Sequence, residues 1–305
     1  MLETLYADCQ LCPRRCHARR NVGERGFCGA SADLKLALAS LHYGEEPPIT
    51  GKGGSGTVFA THCSLGCVFC QNHEISHSGM GRTVSTAEFA GILHLLESAG
   101  AENINLVTGT HAIPALITGI VQARAEGIKL PLLWNSSGYE TLEALDILHE
   151  HVDSYLPDLK TLDSDIARQF FNAEDYPHHA VTAIKRMMQQ KPGNVLIRHL
   201  VIPGHLNSTR NVLLWFVNNA AKHAQLSLMT QYTPVQTPRS SGILYPRRCL
   251  NTEEYDTVLR WLEEFGIDDG YYQELNTDSS WLPSFSRPNP FSSALSKTLW
   301  TWKTE

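Results

Sequence analysis

The sequence predicts an α/β fold built on a parallel sheet. Short apolar runs alternate with amphipathic stretches, and six such strand-helix units can be counted, a pattern typical of parallel βα units. Polar residues follow most of the apolar runs directly, as in a ligand site at the carboxyl ends of parallel strands. The 305 residues, 42% of them hydrophobic, suffice to bury such a core. Right-handed crossovers would arrange the strands as an open doubly wound sheet or as a barrel, complete or partial.

Six predicted strands form this sheet, each a short apolar run bounded by polar or turn-forming residues. They cover residues 57–61, 103–107, 130–134, 194–201 and 226–230, and the fourth lies within 153–160. The glycine-rich segment 51–57 lacks the residue order of a phosphate-binding P-loop, because Lys52 precedes the glycines. We expect a flexible lead-in there.

The helices between the strands carry start and stop signals. Ser85 with Glu88 predicts a capping box, Ser208 a helix cap, and Gly127 a helix end. The predicted helices cover residues 86–98, 113–127, 141–150, 165–171, 176–190 and 208–223. Beyond residue 240 we expect an amphipathic helix at 252–266, a short strand at 269–275 and a proline-rich loop at 283–293.

The charge balance excludes several classes of partner. The net charge of -6 and the pI near 6.2 provide no general attraction for nucleic acid or an anionic membrane. No run of eighteen apolar residues and no apolar leader is present. We therefore expect a soluble cytoplasmic protein without a membrane partner.

The eight cysteines are distributed unevenly. One group comprises Cys9, Cys12, Cys16 and Cys28, a second comprises Cys63, Cys67 and Cys70, and Cys249 stands alone as a predicted lone thiol. Tight cysteine groups in a long chain without a secretory signal are typical of metal or cluster ligands rather than of disulfides.

The second group offers three thiols where a closed metal site needs four ligands. A zinc site would need a histidine such as His62 or His73 to complete it, and buried unliganded thiols are a further alternative. A cubane iron-sulfur cluster held by three thiolates keeps an open coordination position on its fourth iron. The Cys-x3-Cys-x2-Cys spacing directly after the first strand favours the cluster.

Residues 63–70, CSLGCVFC, resemble the cluster motif of the radical S-adenosylmethionine (SAM) superfamily. More narrowly, the chain resembles iron-sulfur proteins related to pyruvate formate-lyase activating enzyme. The similar segments run up to about Pro234 and include CQLCPRRC, GERGFCGA, NINLVTGTHAIP, WNSSGYE, YLPDLK, IRHLVIPGH and QYTP.

The resemblance implies a partial (β/α)6 barrel of the radical SAM type, with Cys63, Cys67 and Cys70 binding a [4Fe-4S] cluster. SAM would chelate the fourth iron. An electron from a reductant such as flavodoxin or ferredoxin would then release a 5′-deoxyadenosyl radical that abstracts hydrogen from a substrate. The protein's own tasks would be to hold SAM, exclude water and aim the radical.

The resemblance also assigns candidate SAM contacts. Phe69 stands where an aromatic packs near adenine, and Thr108-Gly109-Thr110 stands where many relatives carry Gly-Gly-Glu. The remaining positions correspond to ribose and carboxylate contacts: Ser137, Lys160 and Arg198. Each is equally compatible with an ordinary polar group at the barrel rim. His62 and Ser64 depart from the Gly and Asn common in relatives.

The first cysteine group supplies four thiolates, enough for a closed site. Either structural zinc or a second iron-sulfur cluster would fit Cys9, Cys12, Cys16 and Cys28. The arginines between them admit an RNA-binding zinc knuckle, but no aromatics interleave them and the chain is acidic. A solvated face that stabilises an anionic thiolate centre is the favoured interpretation, and nucleic acid is not an expected partner.

Three regions follow from these assignments: a metal-binding segment at residues 1–50, a radical SAM partial barrel at 51–240, and a C-terminal extension packing on the barrel at 241–305. The leading hypothesis is activation of a partner protein by formation of a glycyl radical, and it rests on the resemblance. Radical modification of a small molecule, peptide or RNA is the second hypothesis. A noncatalytic metal-binding or nucleic-acid-binding protein is the third.

Overall fold

The computed structural model describes residues 2–275, 279, 281–292 and 294–304. Its strands are β1 (Lys35–His42), β2 (Ser55–Ala60), β3 (Arg82–Thr83), β4 (Ile104–Val107), β5 (Leu132–Ser136), β6 (Ser154–Pro157), β7 (Leu196–Leu200), β8 (Gln225–Met229), β9 (Gly270–Tyr272) and β10 (Ser296–Thr301). Its α-helices are α1 (Pro47–Thr50), α2 (His73–Ser76), α3 (Thr86–Ser98), α4 (Ile113–Ala125), α5 (Leu142–His149), α6 (Ser164–Phe171), α7 (Tyr176–Gln190), α8 (Leu206–Asn219) and α9 (Thr252–Glu264).

Parallel pairing joins the strands in the order β2, β4, β5, β6. Single parallel bridges between Tyr155 and Val195 and between Asp158 and Arg198 connect β6 to β7. The parallel order then continues through β8 and β9. The predicted strand-helix alternation is confirmed, and the architecture is a partial barrel whose six predicted strands correspond to β2, β4, β5, β6, β7 and β8.

The helix signals are confirmed in most places. The Ser85 hydroxyl accepts the Glu88 N–H at the start of α3, although the Glu88 carboxylate pairs with Arg82 instead of completing a capping box. The predicted cap at Ser208 is wrong. Helix α8 begins two residues earlier, and the Ser208 hydroxyl lies inside the helix at 2.8 Å from the Thr161 hydroxyl.

Three of the described strands, β1, β3 and β10, lie outside the predicted pattern. The predicted flexible lead-in is wrong at its end, because β2 already begins at Ser55 and pairs antiparallel with β1. Strand β10 in turn pairs antiparallel with β1. Residues 35–42 are therefore part of the sheet that holds the barrel strands, and the boundaries proposed at residues 50 and 240 stay predictions.

The C-terminal part covers the edge of the sheet. Helix α9 and strand β9 occupy the predicted positions, and Asn251 with Glu254 forms a complete capping box for α9. In the described part of the predicted loop, 283–292, Phe285 and Phe291 pack against Phe59 of β2 at ring separations of 5.7 and 5.6 Å; residue 293 lies outside the described residues. Within the described ranges, no helix is long and apolar enough to span a membrane.

The ends of β5 and β6 are tied together by one buried hydroxyl. The Tyr176 hydroxyl lies 2.7 Å from the Asp158 carbonyl and 2.9 Å from the Ser137 carbonyl, and it accepts the Lys160 N–H at 3.0 Å. Tyr176 is fully buried, so no solvent replaces these contacts.

We predict that Tyr176→Phe lowers the free energy of unfolding by about 1–3 kcal/mol, because it leaves buried backbone groups without a partner. Urea unfolding followed by circular dichroism measures the change. Tyr155→Phe is the matched control, since its hydroxyl contacts the side chain of Gln190. Equal small losses in both variants would contradict the assigned role.

Candidate active site

A cavity of about 340 Å³ opens at the carboxyl ends of the barrel strands. A volume of this order is typical of small-molecule sites, which span roughly 300–1,000 Å³. The residues that line the cavity after successive strands are Cys63, Cys67 and Cys70 after β2, Thr108 after β4, Ser136 and Ser137 at the end of β5, Asp158 and Lys160 after β6, and Arg198 in β7. The structure thus brings the polar residues predicted at the strand ends to one site.

The cysteine loop, residues 61–72, is held by backbone hydrogen bonds from outside the cavity. The Gly66 and Val68 N–H groups donate to the carbonyls at the end of α6, Phe171 at 3.1 Å and Phe170 at 2.9 Å. The His62 N–H donates to the Ile75 carbonyl of α2 at 3.0 Å. These bonds anchor the loop while its three cysteines line the cavity.

His62 occupies a strained position at the start of this loop. Its φ of 82° is the left-handed conformation that favours glycine. Burial, with the charge of Lys35 next, lowers the pKa of His62 to about 4. The imidazole is therefore neutral at physiological pH.

The three thiols of the loop line the cavity in a largely buried environment that faces a cation. Burial raises the pKa of the Cys63 thiol to about 12 and also raises those of Cys67 and Cys70, while the ammonium of Lys160 opposes each rise. Unliganded thiols would stay protonated here, and coordination by iron is what makes such thiols thiolates. Three soft donors lining one cavity therefore fit the [4Fe-4S] cluster implied by the motif.

Neither cysteine group is arranged in this structure as a preformed site for one metal ion. Across residues 2–275, 279, 281–292 and 294–304, no three His, Cys, Asp or Glu side chains are grouped as ligands of one ion. The loop thiols share a cavity without meeting at one point.

The loop after β4 shows how the predicted Thr108-Gly109-Thr110 contact is built. Thr108 lines the cavity with a φ of 57°, an outlier for a β-branched residue that marks a constrained site. A side chain at Gly109 would approach Trp134 to 2.7 Å. The Thr110 hydroxyl donates to the Glu140 carboxylate at 2.6 Å. Thr110 is buried, and Thr108 is the residue of this trio that lines the cavity.

Glu140 is a buried carboxylate that sequence analysis did not single out. It also accepts the Ser136 hydroxyl at 3.2 Å and the Trp134 indole N–H at 3.4 Å. Burial raises its pKa. The residue ties the loop after β4 to the loop after β5, and its only sequence signal is its place at the end of the WNSSGYE segment.

The predicted contacts Ser137 and Lys160 lie on neighbouring loops of the cavity. The Lys160 ammonium is 2.5 Å from the Asp158 carboxylate. Burial opposes the charged form of Lys160, but Asp158, Cys67 and Tyr176 together outweigh this effect and raise the pKa of the ammonium. Gly138, with a φ of 70°, lets the two loops approach closely, because a side chain there would meet the Asp158 carbonyl at 2.6 Å.

Phe69 lines the cavity, as the adenine assignment requires, but its ring also belongs to an aromatic cluster behind the loop. Its ring centroid lies 5.0 Å from that of Tyr232 and 5.7 Å from that of Phe170. Edge-to-face packing of this kind fixes the ring plane.

Arg198 is engaged by carboxylates of the protein. Its guanidinium lies 2.9 Å from Glu46 through Nε and 2.5 Å from Glu45 through Nη2. All three side chains are nearly inaccessible to solvent. Sequence analysis assigned Arg198 to SAM and missed both glutamates, which stand 152 and 153 positions away.

The four N-terminal cysteines lie near one another against the barrel. Burial raises the pKa of the Cys12 thiol to about 12, and the neighbouring thiols Cys28, Cys9 and Cys16 raise it further. Cys9 is buried, whereas Cys16 is exposed. Cys249 stands two residues before Asn251, the residue that caps α9.

Residues 57–216 match the Radical SAM superfamily, and the chain belongs to this family. The matched range contains the cysteine loop and the strand ends of the cavity. The chain is thus a radical SAM enzyme, and its family implies the [4Fe-4S] cluster and SAM.

The chain is similar to one further protein in sequence and to two solved structures in fold. An uncharacterized protein of Methanocaldococcus jannaschii is 29% identical over 276 residues, covering 87% of this chain and 77% of that protein. A radical SAM methyltransferase from Sphaerobacter thermophilus shares the fold with a TM-score of 0.52 at 16% identity, covering 74% of this chain and 68% of that one. SuiB from Streptococcus suis, solved with SAM bound, gives a TM-score of 0.49 at 12% identity, covering 70% of this chain; the match spans only 45% of SuiB.

We predict that Arg198→Met lowers the free energy of unfolding by about 3–5 kcal/mol, because Glu45 and Glu46 lose the cation that compensates their burial. Urea unfolding is the measurement. Arg168→Met, which breaks an exposed pair with Asp165, should cost about 0–1 kcal/mol. Unchanged stability together with weakened SAM binding in Arg198→Met would contradict the structural role.

Proposed function

We propose that Cys63, Cys67 and Cys70 hold a [4Fe-4S] cluster and that SAM binds beside it in the 340 Å³ cavity. The observation that carries this proposal is the convergence of three loop thiols and the polar ends of β4, β5 and β6 on one cavity. When bound and reduced, the cluster supplies the electron that cleaves SAM to methionine and a 5′-deoxyadenosyl radical.

The chain's own residues would then orient SAM. Lys160 is the cation at the cavity wall that suits the methionyl carboxylate, and Asp158 holds its ammonium in place. The Thr108 backbone and Ser137 lie on the loops after β4 and β5, where they would offer polar contacts to the amino group and the ribose. Phe69 would present a fixed aromatic ring to the adenine.

The C-terminal part shields the cavity. Trp281, Pro283, Phe291 and Leu295 line it together with the barrel residues. An apolar cover protects a reactive radical from water and limits the size of the substrate that enters. The electron would come from a one-electron reductant such as flavodoxin or ferredoxin.

The N-terminal cysteines form, in this proposal, a second metal centre of zinc or iron-sulfur type. Its support is Arg20, which is 1% exposed, donates to the carbonyls of Ser31 and His111, and has no carboxylate partner among the described residues. The Arg20 guanidinium lies 3.7 Å from Cys9 Sγ and stacks on the Tyr6 ring. A buried cation needs a nearby negative charge, and a centre of four thiolates supplies it.

The substrate proposal has two candidates. Glycyl radical formation in a partner protein follows from the sequence resemblance to pyruvate formate-lyase activating enzyme. Modification of a small molecule or a short peptide is favoured by a specific observation, namely the cover that Trp281 and Phe291 place over the cavity.

We predict that Cys67→Ser abolishes reductive SAM cleavage, by roughly 100-fold or more, because the cluster loses one of its three protein ligands. The assay measures 5′-deoxyadenosine from anaerobically reconstituted protein under dithionite. Cys249→Ser is the matched control and should retain activity. A wild-type protein that binds iron yet never cleaves SAM would favour the noncatalytic hypothesis.

Metal counting separates the two forms of the N-terminal centre. We expect either about eight irons or about four irons with one zinc in the reconstituted wild-type protein. Cys12→Ser should lose the metal of the N-terminal centre, either the zinc or about four of the eight irons. The loop cluster is quantified separately through its SAM-dependent spectroscopic signal. About four irons without zinc would contradict a second centre.

Candidate substrates can be compared through deoxyadenosine yield. A burst of 5′-deoxyadenosine on addition of a fraction of small metabolites, without other proteins, would support small-molecule chemistry. A stable protein-borne radical that appears only with a partner protein would support glycyl radical formation.

A further inference from the structure

The two cysteine groups are joined by the side chain of Arg14, which lies between Cys12 and Cys16 in the chain. Its Nε donates to the Ser64 carbonyl at 3.2 Å, inside the cysteine loop and next to Cys63. Its Nη2 donates to the carbonyl of Asn172, the C-cap of α6. An arginine between two cysteines of the first group therefore holds the loop that carries the second group.

The orientation of Arg14 depends on the other end of the first group. The ring of Phe27, next to Cys28, stacks on the guanidinium at 3.7 Å from its centroid. Such stacking directs the guanidinium edge toward its hydrogen-bond acceptors. The geometry of the Arg14 contact thus depends on how residues 26–29 sit against residues 9–16.

A second contact runs between the same segments. Gly29 packs against the imidazole of His62. A Cβ added at Gly29 would lie 3.4 Å from His62 Nδ1. His62 holds its left-handed backbone conformation at this contact. A strained residue persists only where its surroundings constrain it, and Gly29 is part of those surroundings.

Few backbone bonds fix the two halves of the first group to each other. The carbonyl and amide of Cys9 bond within residues 9–18, and the Gly29 N–H bonds to Gly26. Among the described residues, no backbone hydrogen bond joins 9–18 to 26–29. A metal bound by Cys9, Cys12, Cys16 and Cys28 would therefore add a link between these halves, beside the stacking of Phe27 on Arg14.

We propose that the N-terminal cysteine group is a positioning element for the cysteine loop, acting through Arg14, so that metal binding at the first group fixes the geometry of the second. This inference rests on the proposed function, because it requires both centres. Arg14 is a positioning residue: it contacts the loop backbone and none of the reacting atoms.

The test compares Arg14→Gln with Arg15→Gln in the reconstituted full-length protein. Arg15 is the matched control, since it lies one residue away, is exposed, donates to the Gln10 side chain at 2.8 Å and pairs weakly with Glu143 at 3.4 Å, without contacting the cysteine loop. Two measurements read the loop directly: hydrogen-deuterium exchange over residues 62–72, and the electron paramagnetic resonance spectrum of the reduced cluster with and without SAM.

We expect Arg14→Gln to raise loop exchange roughly tenfold, as loss of charge-assisted hydrogen bonds implies, and to weaken the spectral change on SAM addition. Arg15→Gln should match the wild type. Arg14→Lys should restore part of the signal, because an ammonium can donate to one carbonyl but cannot reproduce the stacked fork. Identical behaviour of Arg14→Gln and Arg15→Gln would overturn the inference.

The metal dependence is tested separately with Cys12→Ser. We expect its loop exchange and its spectrum to resemble those of Arg14→Gln. A Cys12→Ser protein with wild-type loop behaviour would overturn the metal-dependent link even if Arg14→Gln shows its effect. Absence of any metal beyond about four irons in the wild type would instead refute the proposed N-terminal centre, which metal counting shows independently of the loop measurements.

Discussion

The requirement that one short loop present three thiols to a single cavity constrains the rest of this structure. A loop of this kind has too few internal hydrogen bonds to hold itself, so its neighbours must fix it. The end of α6 binds the amides of Gly66 and Val68, the Thr237 hydroxyl binds the Val68 carbonyl at 3.0 Å, and Arg14 binds the Ser64 carbonyl at 3.2 Å. Segments from the N-terminus, the barrel and the region beyond β8 all meet at this loop.

Buried polar contacts also fix the loops at the other strand ends of the cavity. Tyr176 joins the loops after β5 and β6, and Glu140 joins those after β4 and β5. Thr108 adopts a strained, left-handed backbone conformation at the cavity wall. A rigid rim of this kind suits radical chemistry, because a reactive radical must meet one hydrogen atom and no others.

Sequence reasoning succeeded where the signal is local. Neighbouring residues were enough to predict the Cys-x3-Cys-x2-Cys spacing, the position of its loop after the first barrel strand, and the bounds of α3 and α7. It missed β1 and β10, because their pairing joins residues some 260 positions apart and neither strand belongs to the βα repeat. It shifted β5 by two residues, since Asp153 binds the Leu132 N–H at 2.7 Å and sets the start of that strand.

The candidate site shows the same division between local and distant information. The cavity residues Thr108, Ser137 and Lys160 were found because they follow strands, whereas the partners of Arg198 and of Arg14 lie 50 to 158 positions away. No spacing rule reports such pairs. The resemblance supplied the cofactors, and the structure supplied the contacts that decide which side chains remain available to them.

The central claim is that the coordination position left open by three cysteines is where SAM binds. Electron-nuclear double resonance on the reduced protein, with SAM labelled with 15N at its amino group, tests this most directly. The account predicts a hyperfine coupling between the labelled nitrogen and the cluster, present in the wild type and lost when Cys67 is replaced by serine. A reduced cluster with SAM bound and no such coupling would contradict it.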